Sequence, residues 1–131
     1  MIDLSITILS IIASAFLSGL AGVLISNWYS NRNEKRREKF EIFKQLMGNR
    51  FNLNGDAFSE ALNSVFVVFH DSKDVKQTLM EFNRVSMNPN RTTAESNQRL
   101  LELFKAMSKD LNIKTEPLTD NFFLEAFNIR R

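Results

Sequence analysis

The 131-residue sequence has no cysteine, one histidine, four glycines and two prolines. Without cysteine there is neither a disulfide framework nor a thiolate metal site, and the chain fits a reducing compartment. The single histidine, His70, stands beside Asp71 with no second imidazole or carboxylate cluster, so it reads as a capping or surface group rather than a ligand or base. Two of the four glycines (Gly19, Gly22) fall in an apolar run, which leaves no glycine loop to cradle a phosphate. These absences predict a chain that is not an enzyme, with no catalytic residues, no metal and no cofactor. The most telling absence is of charge: between Leu4 and Asn31 there is none, and only Asp3 precedes that run.

A helix rises about 1.5 Å per residue, so Leu4–Ser26 covers roughly 34 Å, enough for the hydrocarbon core of a bilayer. Trp28 and Tyr29 follow at the position of an interfacial aromatic anchor. The segment Arg32–Lys44 then carries six basic residues against three acidic ones, while 45–131 balances eleven against eleven. The net charge of +2 is thus too small for a global nucleic-acid signature, and the positive excess is concentrated just after the apolar run. By the positive-inside rule the basic end stays cytoplasmic and a short N-terminus lies outside. A cleaved signal peptide is the competing reading, with Ala13-Ser14-Ala15 as its cleavage site. Its positive charge would precede the apolar run, where this sequence has Asp3. The expectation is a single-pass membrane protein, with residues 1–30 as span and anchor and 31–131 as a cytoplasmic helical domain.

Every fourth residue from Ser10 to Ser26 is small. At 100° per residue, Asp3, Thr7, Ser10, Ser14, Ser18 and Ala21 fall within about 80° of one another. Ala15, Gly19, Gly22 and Ser26 line the flank beside that face, and Ile6, Leu9, Ile12, Phe16, Leu20, Val23 and Leu24 occupy the opposite side. Tiny residues let helices approach closely in lipid, so the flank predicts packing against other copies. The hydroxyl face has two readings: it bonds back to its own backbone within a packed oligomer, or it lines a narrow pore in a ring of helices.

Downstream, the pattern predicts an all-α domain, a small bundle of about four helices. Arg32–Met47 continues helical with Phe40, Phe43 and Met47 on one face, and Gly48-Asn49 ends it. Asn54 can cap a second helix over about Asp56–Phe69, within which Val65–Phe69 has strand propensity but is too short and isolated to build a sheet. Ser72 opens a third helix to about Val85, carrying Val75, Leu79 and Phe82. After the Met87–Arg91 loop, Thr92 stands three residues before Glu95, the spacing of a capping box, and a fourth helix runs to about Leu111. It buries Leu100, Leu103, Phe104 and Met107. The phenylalanines outside the span read as core, and Phe122, Phe123 and Phe127 predict a tail that packs back or meets a neighbouring subunit. The basic cluster Arg32, Lys35, Arg36, Arg37 and Lys39 reads as a topology signal touching anionic lipid, or as a phosphate-binding collar joined by Arg50, Arg130 and Arg131.

The pieces Phe43-Lys44-Gln45-Leu46-Met47, Arg50, Ala61-Leu62-Asn63, Val67-Val68-Phe69 and Leu101–Leu111 occur in an order that resembles an uncharacterised bacterial family. Its members pair an N-terminal transmembrane helix with a small helical cytoplasmic domain. The likeness covers roughly residues 40–111, and a tyrosine- and proline-rich ending associated with that family is replaced here by Phe122-Phe123 and Phe127. The layout also resembles the membrane effector of Hailong-type anti-phage defence. That resemblance implies a homo-oligomeric ion channel (a tetramer is the expectation) that depolarises the cell. It further implies gating by a nucleotide or DNA-oligomer signal made by a nucleotidyltransferase. The alternative is a membrane-tethered helical module that recruits a cytoplasmic partner.

Overall fold

The structure is a computed structural model and describes residues 2–127. It contains α1 (Ile2–Gly48), α2 (Asp56–Val68), α3 (Lys73–Ser86), α4 (Thr93–Asp110) and α5 (Asp120–Leu124), with no strand among the described residues. The strand-prone run Val65–Phe69 is helical through Val68, and Phe69 is the C-cap of α2. The chain divides into two compact units, Met1–Lys35 and Arg36–Arg131.

The first unit is helical, and every described side chain in it is exposed. Its apolar window reaches a mean hydropathy of 2.4, which makes α1 long and apolar enough to cross a membrane. A helix is the form that satisfies every interior backbone N–H and C=O within one segment, as hydrocarbon requires.

In the second unit the helical periodicity becomes one-sided. Phe43 and Leu46 are buried from the end of α1, Phe58, Ala61 and Val65 from α2, and Val75 and Val85 from α3. The core is built on α4, which buries Leu100, Leu101, Leu103, Phe104 and Met107, with Leu111 just past its end. All four apolar residues expected to be buried on α4 are buried. Leu79, Phe82 and Met47 are only partly buried against the same cluster. The phenylalanines are not uniformly core: Phe51, Phe66 and Phe127 are exposed, the last by 78%. Phe66 follows the buried Val65 by one residue, and a 100° step carries it to the outer side of α2. In the tail, Phe123 is buried and α5 is tied to α4 by Lys105–Asp120 at 2.7 Å.

Helix ends follow local chemistry. Ser72 accepts a hydrogen bond from the Val75 N–H at 3.3 Å, and Thr92 accepts one from the Glu95 N–H at 3.1 Å, as their sequence positions predict. At α2 the N-cap is Gly55 rather than Asn54, and no side chain caps the helix. The reason is the tight turn before it: Gly55 N–H donates to the Asn52 carbonyl at 3.0 Å. A Cβ on residue 55 would come within 2.8 Å of the Asn52 side-chain amide and 3.1 Å of its carbonyl, so a larger residue there would require Asn52 to shift. At the far end of α4, Ile113 N–H reaches the Ser108 carbonyl at 2.9 Å and Asn112 N–H reaches that of Lys109 at 3.1 Å. That Schellman closure needs a left-handed residue between helix and exit, and Asn112 supplies it with φ 55°.

Two substitutions separate backbone shape from packing. Asn112→Gly should leave urea unfolding unchanged or slightly stabilised, whereas Asn112→Val should cost about 1–2 kcal/mol, because a β-branched side chain resists that conformation. Phe104→Ala, at a fully buried position, should cost about 3–5 kcal/mol in the same measurement.

Candidate functional site

On α1 the hydroxyl face and the small-residue flank are both uncovered. Thr7, Ser10, Ser14, Ser18 and Ala21 are exposed, as are Ala15, Gly19, Gly22 and Ser26. A Cβ placed on Gly19 or Gly22 would meet nothing within 4 Å. The Thr7 hydroxyl donates back to the Asp3 carbonyl at 2.7 Å, the i−4 bond by which a helix hosts a hydroxyl without water. At the polar end of this unit the Arg32 guanidinium lies 5.4 Å from the centroid of the Trp28 ring, a cation–π distance. Aromatic and cation at this position suit the headgroup layer of a bilayer.

The basic residues divide by what they touch. Arg32, Lys35, Arg36 and Arg37 are exposed; Arg36 lies 6.0 Å from the Phe40 ring. Lys39 is different. Its side chain is only 11% exposed, and its ammonium makes ion pairs with Asp71 at 2.8 Å and Asp110 at 3.0 Å. It also sits 5.5 Å from the centroid of the buried Phe69 ring. Burial alone would lower its pKa, but the hydrogen bonds to the two carboxylates outweigh burial and hold it above the ordinary lysine value. Reciprocally, the hydrogen bond from Lys39 holds Asp71 below the usual carboxylate range.

Arg50 is likewise committed within its unit. It donates to the carbonyls of Met47 at 2.6 Å and Glu125 at 3.2 Å, and its guanidinium lies 5.6 Å from the Phe122 ring. Burial lowers its pKa, and its buried Nε has no hydrogen-bond partner. It holds the segment after α5 against the end of α1. Lys39 and Arg50, placed with the phosphate contacts by sequence, therefore serve as internal ties. The exposed part of that set is Arg32, Lys35, Arg36 and Arg37, while Arg130 and Arg131 lie outside the described residues.

Asp71 and Asp110 are structural residues that sequence reasoning passed over. Their pairing with Lys39 spans 32 and 71 positions, and local spacing carries no trace of it. His70 is exposed in the α2–α3 turn, and among the described residues no group of three or more His, Cys, Asp or Glu could hold a metal ion.

The ion cluster makes a pH prediction. Because the folded-state pKa of Asp71 is depressed, its contribution to stability is present above the unfolded-state value and is lost as pH falls through the folded one. Lys39→Met should lower stability at neutral pH by about 1–2 kcal/mol, a modest figure because Asp71 is half in solvent. It should also flatten the acid limb of a urea-unfolding pH profile. An acid limb identical in slope to that of the unsubstituted protein would show that Asp71 does not titrate through Lys39.

No curated protein and no solved structure matches the chain. A family does match, over residues 4–119, from the apolar part of α1 to the residue before α5. The two uncovered faces of α1 and the Lys39 cluster all lie inside that span. The chain belongs to this family, described as a family of unknown function, DUF6680.

Proposed function

We propose that this protein is a homo-oligomeric, single-pass membrane effector whose membrane helices assemble and conduct ions. The observation that carries this reading is the pattern on α1. A charge-free helix able to span a bilayer presents a hydroxyl face and an adjoining tiny-residue flank, and the residues of both are exposed. In lipid, apolar surface gives helices no reason to associate, and close backbone approach does. The flank of Ala15, Gly19, Gly22 and Ser26 supplies that approach, and Thr7, Ser10, Ser14 and Ser18 supply a polar lining.

The basic residues after Tyr29 orient the helix with its C-terminal side in the cytoplasm of a bacterial inner membrane. There Arg32, Lys35, Arg36 and Arg37 are free to contact phosphates, whether of anionic lipid or of an oligonucleotide ligand. The resemblance to the Hailong-type effector supports a DNA-oligomer or nucleotide signal, made by a nucleotidyltransferase, as the gating ligand and depolarisation in anti-phage defence as the outcome. A second reading, a tethered module that recruits a cytoplasmic partner, draws on the apolar groove between α2 and α3, lined by Leu62, Phe66, Leu79 and Phe82.

Liposomes containing the purified protein should pass ions under some ligand condition, and Ser14→Leu should reduce that flux at least tenfold. No flux under any condition would remove the pore. Replacing residues 4–26 by an unrelated apolar helix should abolish activity in cells; retained activity would favour the recruiting module. Oligonucleotide binding, where it occurs, should weaken steeply between low and moderate salt and be lost when Arg32, Lys35, Arg36 and Arg37 are changed together to glutamine.

A further inference from the structure

The hydroxyl strip of α1 does not stop at Ala21. Within the same arc of about 80° that holds Thr7, Ser10, Ser14, Ser18 and Ala21, the next residues in order are Ile25, Trp28 and Arg32. The strip therefore changes character along its length. From Thr7 to Ala21 it carries only hydroxyl groups and a methyl. An isoleucine and the one tryptophan of the chain follow, and then a cation. All three side chains are exposed. The Arg32 guanidinium lies 5.4 Å from the centroid of the Trp28 ring, so a cation one turn further along fixes the face of the indole. The alignment does not depend on a straight helix. Thr7, Ser14, Ala21 and Trp28 stand seven residues apart, the repeat that a left-handed supercoil keeps on one line.

We infer that Ile25 and Trp28 are the gate of the pore, an apolar constriction at its cytoplasmic end that Arg32 holds in place. The inference rests on the reading above, in which the hydroxyl strip of each copy faces the axis of a ring. Over about four turns each copy then lines the bore with nothing larger than a threonine. Within the next two turns it adds a branched aliphatic group and an indole. The bore is therefore narrowest at Trp28, and its wall there is apolar. Water leaves a narrow apolar bore, and an ion cannot cross it without losing hydration, so the constriction blocks conduction without a tight seal. Arg32 is the positioning residue, and it also supplies a means of opening. A phosphate that pairs with the guanidinium draws it off the indole, because a charge-assisted hydrogen bond is stronger than an exposed cation–π contact. The ring is then released to another rotamer. Phosphate contact at the basic end of the strip is thereby coupled to the width of the bore one turn away.

The chain has no cysteine and one tryptophan, so an introduced thiol and the native indole each report alone. Full-length protein carrying Ser18→Cys is expressed in membranes, and inside-out vesicles are treated with a membrane-impermeant trimethylammonium thiosulfonate. Labelling should be slow, and at least about tenfold faster once Trp28→Ala opens the constriction. Ile25→Ala should act in the same direction, which keeps the test open should Trp28→Ala lose helicity by circular dichroism. Trp28→Phe retains an apolar ring and should leave labelling slow, as should Tyr29→Ala, whose aromatic ring lies off the strip. Leu20→Cys, on the opposite side of the helix, should stay unlabelled in every background. Arg32→Gln should speed labelling of Ser18→Cys and shift the Trp28 emission, and Arg32→Lys should reverse both. Emission indifferent to Arg32→Gln would remove Arg32 from the gate. Fast labelling that ignores both Trp28→Ala and Ile25→Ala would overturn the gate and leave the pore standing. A thiol in Ser18→Cys that stays inert in every background, yet reacts fully in denatured protein, would overturn gate and pore together.

Discussion

A backbone in hydrocarbon has no water to bond, and the proposed membrane crossing would place residues 4–26 under that constraint. It would require one uninterrupted helix without a charge, which residues 4–26 are. It would also leave no apolar contrast by which the helix could recognise a partner, so specificity in a bilayer would reside in shape and hydroxyls. The sequence concentrates both on neighbouring strips, with Gly19 and Gly22 open to any approaching backbone. Past Lys35, in the second unit, the apolar content of α1 narrows to the stripe of Phe43 and Leu46 that meets the α4 core.

Within the second unit the Lys39 cluster joins three chain segments that the core alone would leave less defined. It reaches from α1 to the α2–α3 turn at Asp71 and to the last residue of α4 at Asp110. Arg50 performs the matching task at the other side of Gly48, through carbonyls of α1 and of the segment after α5. A lysine between two carboxylates and over a phenylalanine has its stem in apolar surroundings and its head compensated. That arrangement removes the usual penalty for a cation with so little exposure.

The legible parts of the fold were those set by near neighbours. Ser72 and Thr92 cap their helices because a side-chain oxygen reaches a backbone N–H three residues on, and that distance is written in the sequence. The apolar spacing of Leu100, Leu103, Phe104 and Met107 likewise marks the buried side of α4. Gly55 and not Asn54 caps α2 because the turn that bonds Gly55 N–H to the Asn52 carbonyl sets where the helix begins, a matter of chain closure. Phe66 and Phe127 misled because residue type was weighed above position on the helix or in the tail. For the site, the strips on α1 follow from spacing alone. The sorting of the basic residues into free and engaged depended on partners as distant as Asp110.

The order of the strips around α1 bears on the form of the proposed membrane assembly. Taking the hydroxyl face as the side turned to water, the tiny flank of Ala15, Gly19, Gly22 and Ser26 lies about 110° to one side of it. To the other side the bulky face begins, its near edge formed by Ile6, Leu17, Leu20 and Leu24 about 85° away. Over residues 15–26 one lateral side is thus a shallow channel, with Leu4 and Ile8 projecting on the same strip nearer the N-terminus, and the other is a row of projecting side chains. A two-fold helix pair would set like against like, channel facing channel, and would leave the projecting row without a seat. A head-to-tail ring seats the row of each helix in the channel of the next, and every helix then makes the same pair of contacts. Such a ring turns all hydroxyl faces to its axis, so packing and lining are satisfied by one geometry rather than competing for it. Thr7, whose proton is spent on the Asp3 carbonyl, would still present oxygen lone pairs to that axis.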